Sequence, residues 1–232
     1  MKLLSNGKSN SKIAKNLKII DSYILHLSPY KQNSYGKNVC AHASVGCASA
    51  CLNTAGRGAF SNVQSARVRK TDWLLSDSTA FLQQLLRELI TINSKGKAAV
   101  RLNGTSDLDF IDLIQRKLDV DVVKSLTNIK FYDYTKNFKR AMKYLGSDYH
   151  LTLSRSEDND DKCIEYLRAG GNVAAVFNNL PQTWNGFKVI DGDENDLRYL
   201  DYTNVVVGLV AKGKAKKDTS GFVIQTVYDE AI

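Results

Sequence analysis

The chain has 232 residues, 43% of them hydrophobic and 24% charged, which is enough to bury a core without disulfides and too apolar for a disordered chain. Its apolar runs, such as residues 205–211, are too short to span a bilayer, and Met1-Lys2-Leu3-Leu4-Ser5-Asn6-Gly7-Lys8 carries no apolar signal core. A membrane protein is therefore not expected, and a cytoplasmic location is. The net charge of +8 is lopsided: residues 1–70 hold 11 Lys or Arg and a single acid, Asp21, whereas the remaining 162 residues are slightly acidic. An anionic partner, nucleic acid or a phosphorylated molecule, is one implication for residues 1–70; a solvated basic arm is the other.

Residues 1–37 are polar and Lys/Asn/Ser-rich, with an apolar stretch at 19–27, and read as a loose basic lead-in holding one strand. A cysteine loop follows at 38–60. Helical spacing begins at 62–75 and is stronger at 78–93, where Phe81, Leu82, Leu85, Leu86, Leu89 and Ile90 recur at three and four, up to Gly96. From there strands and helices alternate. Strands are expected at 98–102, 129–134, 149–154 and 173–177, with helices at 108–117, 138–145 and 160–169 between them. Three more strands are expected at 188–190, 205–210 and 222–226. The alternation implies crossover units and a mostly parallel sheet. The expected fold is one α/β domain over 1–232, an incomplete βα barrel whose body is 61–232.

Ligands of parallel α/β folds meet the residues just after the strands. Here those residues are Asn103-Gly104-Thr105-Ser106-Asp107, Thr135-Lys136-Asn137, Ser154-Arg155-Ser156-Glu157 and Asn178-Asn179. Each loop alone fits helix capping. Four in succession point to a polar pocket with Asn103, Ser106, Asp107, Lys136, Ser154 and Asn178 as ligand-positioning candidates.

Three of the four cysteines, Cys40, Cys47 and Cys51, fall within twelve residues at spacing C-x6-C-x3-C. Thiolates favour zinc, copper(I) and iron–sulfur clusters. Three readings stand side by side: a 4Fe–4S cluster with one iron not held by cysteine, a zinc site completed by His42, or three cysteines acting as small apolar side chains. The small residues between them, Ala41, Ala43, Ser44, Gly46, Ala48, Ser49 and Ala50, let the loop wrap a bulky cluster. Cys163 lies on a helix face and reads as a buried structural thiol.

Several ordered blocks carry a family resemblance. They are the three cysteines, Gly56-Arg57-Gly58-Ala59-Phe60 with Asn62 and Ala66-Arg67, Val100 through Asp107, Phe131-Tyr132-Asp133-Tyr134-Thr135-Lys136, Asp191 through Arg198, and Gly208 through Ala215. Over roughly 35–225 the chain resembles the phage "gene product 88" family. More distantly, a three-cysteine loop ahead of a partial βα barrel resembles the radical S-adenosylmethionine enzymes. That resemblance implies a 4Fe–4S cluster on Cys40, Cys47 and Cys51, a small molecule such as S-adenosylmethionine at the open iron, an enzymatic role with unread substrate, and a host-cytoplasmic setting. Those enzymes carry C-x3-C-x2-C, so the spacing here departs from theirs. The alternative is a non-enzymatic, metal-stabilised protein that binds nucleic acid or a host protein.

The remaining constellations read as structural. Asp191 through Asp196 reads as an exposed acidic turn, a divalent-cation loop being the alternative, with Arg198 and Asp201 closing the loop internally. Lys212 through Lys217 lacks a P-loop pattern and reads as a basic tip or a phosphate grip. Asp133 shares a strand face with Phe131, and a buried carboxylate there needs a partner, for which Arg101 is the candidate. Scattered histidines and the absence of a Gly-x-Ser-x-Gly or His-Glu-x-x-His pattern exclude the common hydrolase designs.

Overall fold

A computed structural model describes residues 1–7, 19–51, 53 and 56–226. The chain is a mixed α/β structure built on one open ten-stranded sheet. In chain order the strands are β1 (Leu4–Asn6), β2 (Asp21–Leu25), β3 (Ala98–Arg101), β4 (Ile129–Thr135), β5 (Tyr149–Ser154), β6 (Asn172–Phe177), β7 (Thr183–Trp184), β8 (Phe187–Asp191), β9 (Val206–Val210) and β10 (Val223–Ile224). The helices are α1 (Val45–Ser49), α2 (Ser61–Ser76), α3 (Ser78–Ser94), α4 (Phe110–Leu118), α5 (Val122–Ser125), α6 (Phe138–Tyr144) and α7 (Asp160–Arg168).

The spatial order is β1-β2-β3-β4-β5-β6-β9-β8-β7, with parallel pairing from β2 through β8. Antiparallel β1 and β7 end the sheet on either side, so it does not close. From β2 to β6 each strand lies beside its successor in the chain. β10 pairs with Val176 and Phe177 of β6, beyond the point where β5 ends its pairing at Ala174.

The helices cover one face. Phe81, Leu82, Leu85, Leu89 and Ile92 of α3 are buried against Leu4, Leu25, Val100 and Phe131, and each such side chain contributes about 1.5–3 kcal/mol. A second cluster joins α6 and α7 to β5, β6 and β9 through Ala141, Leu153, Cys163, Leu167, Val173 and Val206. Leu197 packs over Ala99 and Tyr132 on the other side of the strands. Helix starts are set by local chemistry: Asp77, Asp109, Asp121 and Asn137 each accept a backbone N–H of the first turn.

The structure departs from the sequence expectations at three places. The start of the expected lead-in is part of the core, where Leu3 and Leu4 are buried and β1 pairs with β2, while its residues 8–18 lie outside the described ones. The cysteine loop contains a short helix, α1. The acidic turn is only partly exposed, because Asp196 is buried and accepts from Arg101 Nη1 at 3.2 Å, Tyr132 Oη at 3.4 Å and Tyr134 Oη at 3.3 Å. Arg198 closes the loop by donating to the Asn195 carbonyl at 2.8 Å and side chain at 3.1 Å, and it pairs with Asp201 at 3.3 Å. No helix among the described residues is long and apolar enough to cross a membrane.

Candidate functional site

Parallel pairing places the C-terminal ends of β2 to β6 along one edge of the sheet. Residues 26–60 leave the end of β2 and return as α2, so the cysteine loop sits on that edge by connectivity. Four bonds fasten it there. Gly104 N–H donates to Leu25 O at 2.8 Å, Asp107 N–H to Val39 O at 2.9 Å and Thr105 Oγ1 to Leu27 O at 2.5 Å. The Cys40 thiol donates to Thr105 O at 3.7 Å, and its sulfur accepts from Tyr30 N–H at 3.5 Å.

Cys47 is carried by α1. Ser44 caps this helix, its Oγ accepting from Cys47 N–H at 3.1 Å. Glu157, from the loop after β5, accepts from Ser44 Oγ and Gly46 N–H, both at 2.7 Å. Those bonds outweigh burial and hold the Glu157 carboxyl below its ordinary value. Gly46 is required by close approach: a Cβ would lie 2.6 Å from Phe222 Cβ and 3.0 Å from Glu157 Oε1. The C-terminal segment around Phe222 thus lies against the turn that presents Cys47.

Cys40, Cys47 and Cys51 are all half-buried, and none is in a disulfide. Their charges act on one another. Burial pushes the Cys40 thiol up to about 11, and Asp107, Cys47 and Cys51 add to the rise. Burial also raises Cys47, against the opposing charge of Lys136. Cys163 is fully buried between α7 and the sheet, its thiol 3.4 Å from Asn159 Oδ1 and pushed up to about 12, mainly by burial. His42 is exposed. No group of three or more His, Cys, Asp or Glu side chains among the described residues is arranged to hold a metal ion.

The strand-end residues singled out in the sequence lie on this edge, and most are engaged in bracing it. Asn103 is buried; its Nδ2 donates to Leu108 O and Asp133, and its Oδ1 accepts from Ser106 Oγ and Leu108 N–H. Asp107 accepts from Lys136 N–H at 2.9 Å and pairs with Arg140 at 2.5 Å. Lys136 Nζ donates to Arg155 O at 3.0 Å and lies 5.2 Å from the Phe222 ring centroid. Asn178 Oδ1 accepts from the backbone and hydroxyl of Thr226, both at 2.8 Å. Ser154 is half-buried, and its carbonyl accepts from Asn159 Nδ2. Asp107 and Lys136 are the two whose charges reach the thiols. Glu157, Arg67 and His26 also belong to this edge. None of them was among the ligand-positioning candidates, although Glu157 stands in a strand-end loop and Arg67 in a family block, because contacts across 111 residues, as between Glu157 and Gly46, leave no local pattern.

Asp133 anchors the base of the edge. It is fully buried and accepts from Asn103 N–H at 2.8 Å, Leu102 N–H at 3.2 Å, Asn103 Nδ2 at 3.1 Å and Tyr149 Oη at 2.8 Å. Arg101, its expected partner, is more distant at 3.9 Å and lies nearer Asp196. Burial raises the Asp133 carboxyl, against the pull of Arg101 and these donors.

A family model described as Gene product 88 matches residues 2–226, nearly the whole chain. The chain belongs to the Gene product 88 family. No curated protein and no solved structure matches it. The family match extends across the cysteine loop, every described strand and the C-terminal segment that packs on α1, so the whole thiol-bearing edge lies within the family's span.

Proposed function

We propose that this member of the Gene product 88 family is a metal–thiolate protein, with an iron–sulfur cluster, of the 4Fe–4S type, held by Cys40, Cys47 and Cys51. One observation carries the reading. Three half-buried thiols from a single loop, none of them in a disulfide, lie at the C-terminal edge of a parallel sheet, and the charges of Cys47 and Cys51 act on Cys40. The donor types suit such a cluster, with soft sulfur ligands, small residues between them and a backbone N–H directed at Cys40 sulfur, and the loop has to draw the three thiols together, since among the described residues they are not grouped to hold a metal. The thiols must lose their protons to bind, and the raised Cys40 and Cys47 extend the gain in metal affinity with pH to higher pH. Three cysteine ligands leave one iron for a small molecule, for which S-adenosylmethionine is the candidate. The strand order β2 to β6 supports a partial-barrel, radical-SAM-like layout, and the C-x6-C-x3-C spacing sets this chain apart from those enzymes.

In this reading the chain's own residues position and screen. Glu157 and Phe222 fix the turn presenting Cys47, Asp107 ties the loop to β4 and α6, and Lys136 supplies positive charge beside Cys47. A bound cluster would supply electron transfer or a site for ligand activation. The expected result is a brown protein after anaerobic purification, absorbing near about 400 nm and containing iron and sulfide in similar amounts. A colourless protein carrying zinc would replace the cluster with a zinc site. A protein with neither after reconstitution would end the reading.

The outer surface of the same loop favours a second, compatible role. Tyr30, Tyr35 and Phe60 are 40%, 52% and 61% exposed among exposed Lys31, Lys37 and Arg57. Aromatic faces interleaved with cations suit single-stranded nucleic acid. Single-stranded oligonucleotides should then bind more tightly than duplexes, with affinity falling steeply as salt rises. Equal, salt-insensitive binding of both would remove this role.

A further inference from the structure

We infer that the space between α2 and the end of β2, beside Cys51, binds the phosphate group of a small substrate, with Arg67 and His26 as its contacting residues. The inference deepens the thiol-edge reading and rests on it only for what the held molecule does there.

The geometry begins with α2 lying across the end of β2. Ser28 N–H donates to Thr71 Oγ1 at 2.8 Å, Thr71 Oγ1 donates to Arg67 O at 2.9 Å, and Lys70 Nζ donates to Leu3 O at 2.6 Å. One turn of α2 therefore holds Arg67 and Lys70 above the strand end. Beneath it, Ile24 pairs with Arg101, so His26, two residues on, lies on the face that carries Arg101. Gly104 backs the imidazole: a Cβ there would lie 2.7 Å from His26 Cδ2 and 2.9 Å from Nε2. Only glycine lets the loop after β3 pass so close to the ring.

The charges in this space do not balance. Arg67 pairs with no carboxylate among the described residues. Its guanidinium donates to Asn53 Oδ1, and its Nε is buried with no hydrogen-bond partner. Burial lowers the guanidinium, and the neighbouring Cys51 sulfur opposes that. His26 has no hydrogen-bond partner on its ring among the described residues. Burial, with Arg67, Arg101 and Lys70 around it, lowers it to about 3, and no acid opposes them. The imidazole is thus neutral at physiological pH, with one N–H to donate. Asp196 offsets Arg101 and Glu88 offsets Lys70, which leaves Arg67 uncompensated. A half-buried guanidinium without a counter-charge is costly, and a bidentate oxyanion is the partner its geometry fits. A phosphate has oxygens enough to meet the Arg67 guanidinium and the His26 N–H together, whereas a carboxylate has only two, hence phosphate over carboxylate.

Calorimetric titration of the purified protein with inorganic phosphate and, at matched ionic strength, with acetate tests this, with iron measured in the same samples. Phosphate should bind at least about tenfold more tightly than acetate. Arg67→Gln should weaken phosphate by roughly tenfold or more and His26→Gln by a smaller factor, whereas Arg69→Gln, an exposed position on the same helix, should change it by less than about twofold. Arg67→Lys should retain part of the affinity, which keeps the test valid if Arg67→Gln melts early. Equal binding by Arg67→Gln and Arg69→Gln, equal affinity for acetate, or no binding up to about 10 mM phosphate would overturn the site. Phosphate binding by a protein that holds no iron after reconstitution would support the pocket and end the cluster reading. Iron without phosphate binding would do the reverse.

Discussion

Cys40→Ala, Cys47→Ala or Cys51→Ala, each made separately, should lose most of the bound iron and sulfide, roughly a tenfold drop per protein molecule. Each removes one of the three soft ligands of the loop, whose remaining candidate donor, His42, is exposed. Cys163→Ala should keep the full complement. Its thiol is buried between α7 and the sheet, so its loss leaves a small cavity costing about 1 kcal/mol or somewhat more. Iron and sulfide assays after anaerobic reconstitution, with circular dichroism to verify folding, read the result. If Cys163→Ala bleaches the protein as fully as the others, the ligand set includes four cysteines and the open iron is lost. If all four variants keep their iron, the thiols are not the ligands.

Asp133→Asn should be among the most destabilising single changes in the chain, at about 3–5 kcal/mol. The carboxylate accepts from two backbone N–H groups, the Asn103 amide and the Tyr149 hydroxyl, with no exposure to water. An asparagine presents one acceptor oxygen and turns an NH2 toward those donors, leaving at least one of them buried and unsatisfied. Arg101 also loses part of its counter-charge. Tyr149→Phe, which removes one donor of the four, should cost only about 1 kcal/mol. Urea denaturation of both variants separates them. Equal costs would mean that the carboxylate does not organise the turn after β3. Because that turn carries Asn103, Thr105 and Asp107, Asp133→Asn should also loosen the seat of Cys40 and lower metal retention.

The alternating middle of the chain was legible because its elements declare themselves locally. The expected strand at 149–154 and the helix at 78–93 match β5 and α3 to within a residue, since burial on one face imposes period two or period 3.6 on neighbouring residues. β1 was not legible. Three residues with one leucine carry no periodicity, and they are a strand because β2 offers an edge to pair with. The five-residue α1 depends on Ser44 and on Glu157, 111 residues away from Gly46. Closure of the sheet was equally beyond local pattern. The alternation implies parallel crossovers, but whether the strands curl into a barrel depends on what pairs at the edges, and here β1 and β7 are antiparallel ends.

For the candidate site, the sequence by itself determined the thiol donors and their small-residue surroundings, because C-x6-C-x3-C is a covalent spacing that folding cannot change. It also determined that polar residues follow the strands. Only the tertiary structure decided what those residues do. Asn103, Ser106 and Asn178 face neighbouring backbone and side-chain groups and brace the edge, while Asp107 and Lys136 also bring charge to the thiols. Arg67 and His26 became neighbours only when α2 folded across the end of β2. Hydrogen bonds and charge pairs are made between residues that are close in space, and spatial proximity between distant segments is set by the packing of the whole sheet rather than by any stretch of the chain.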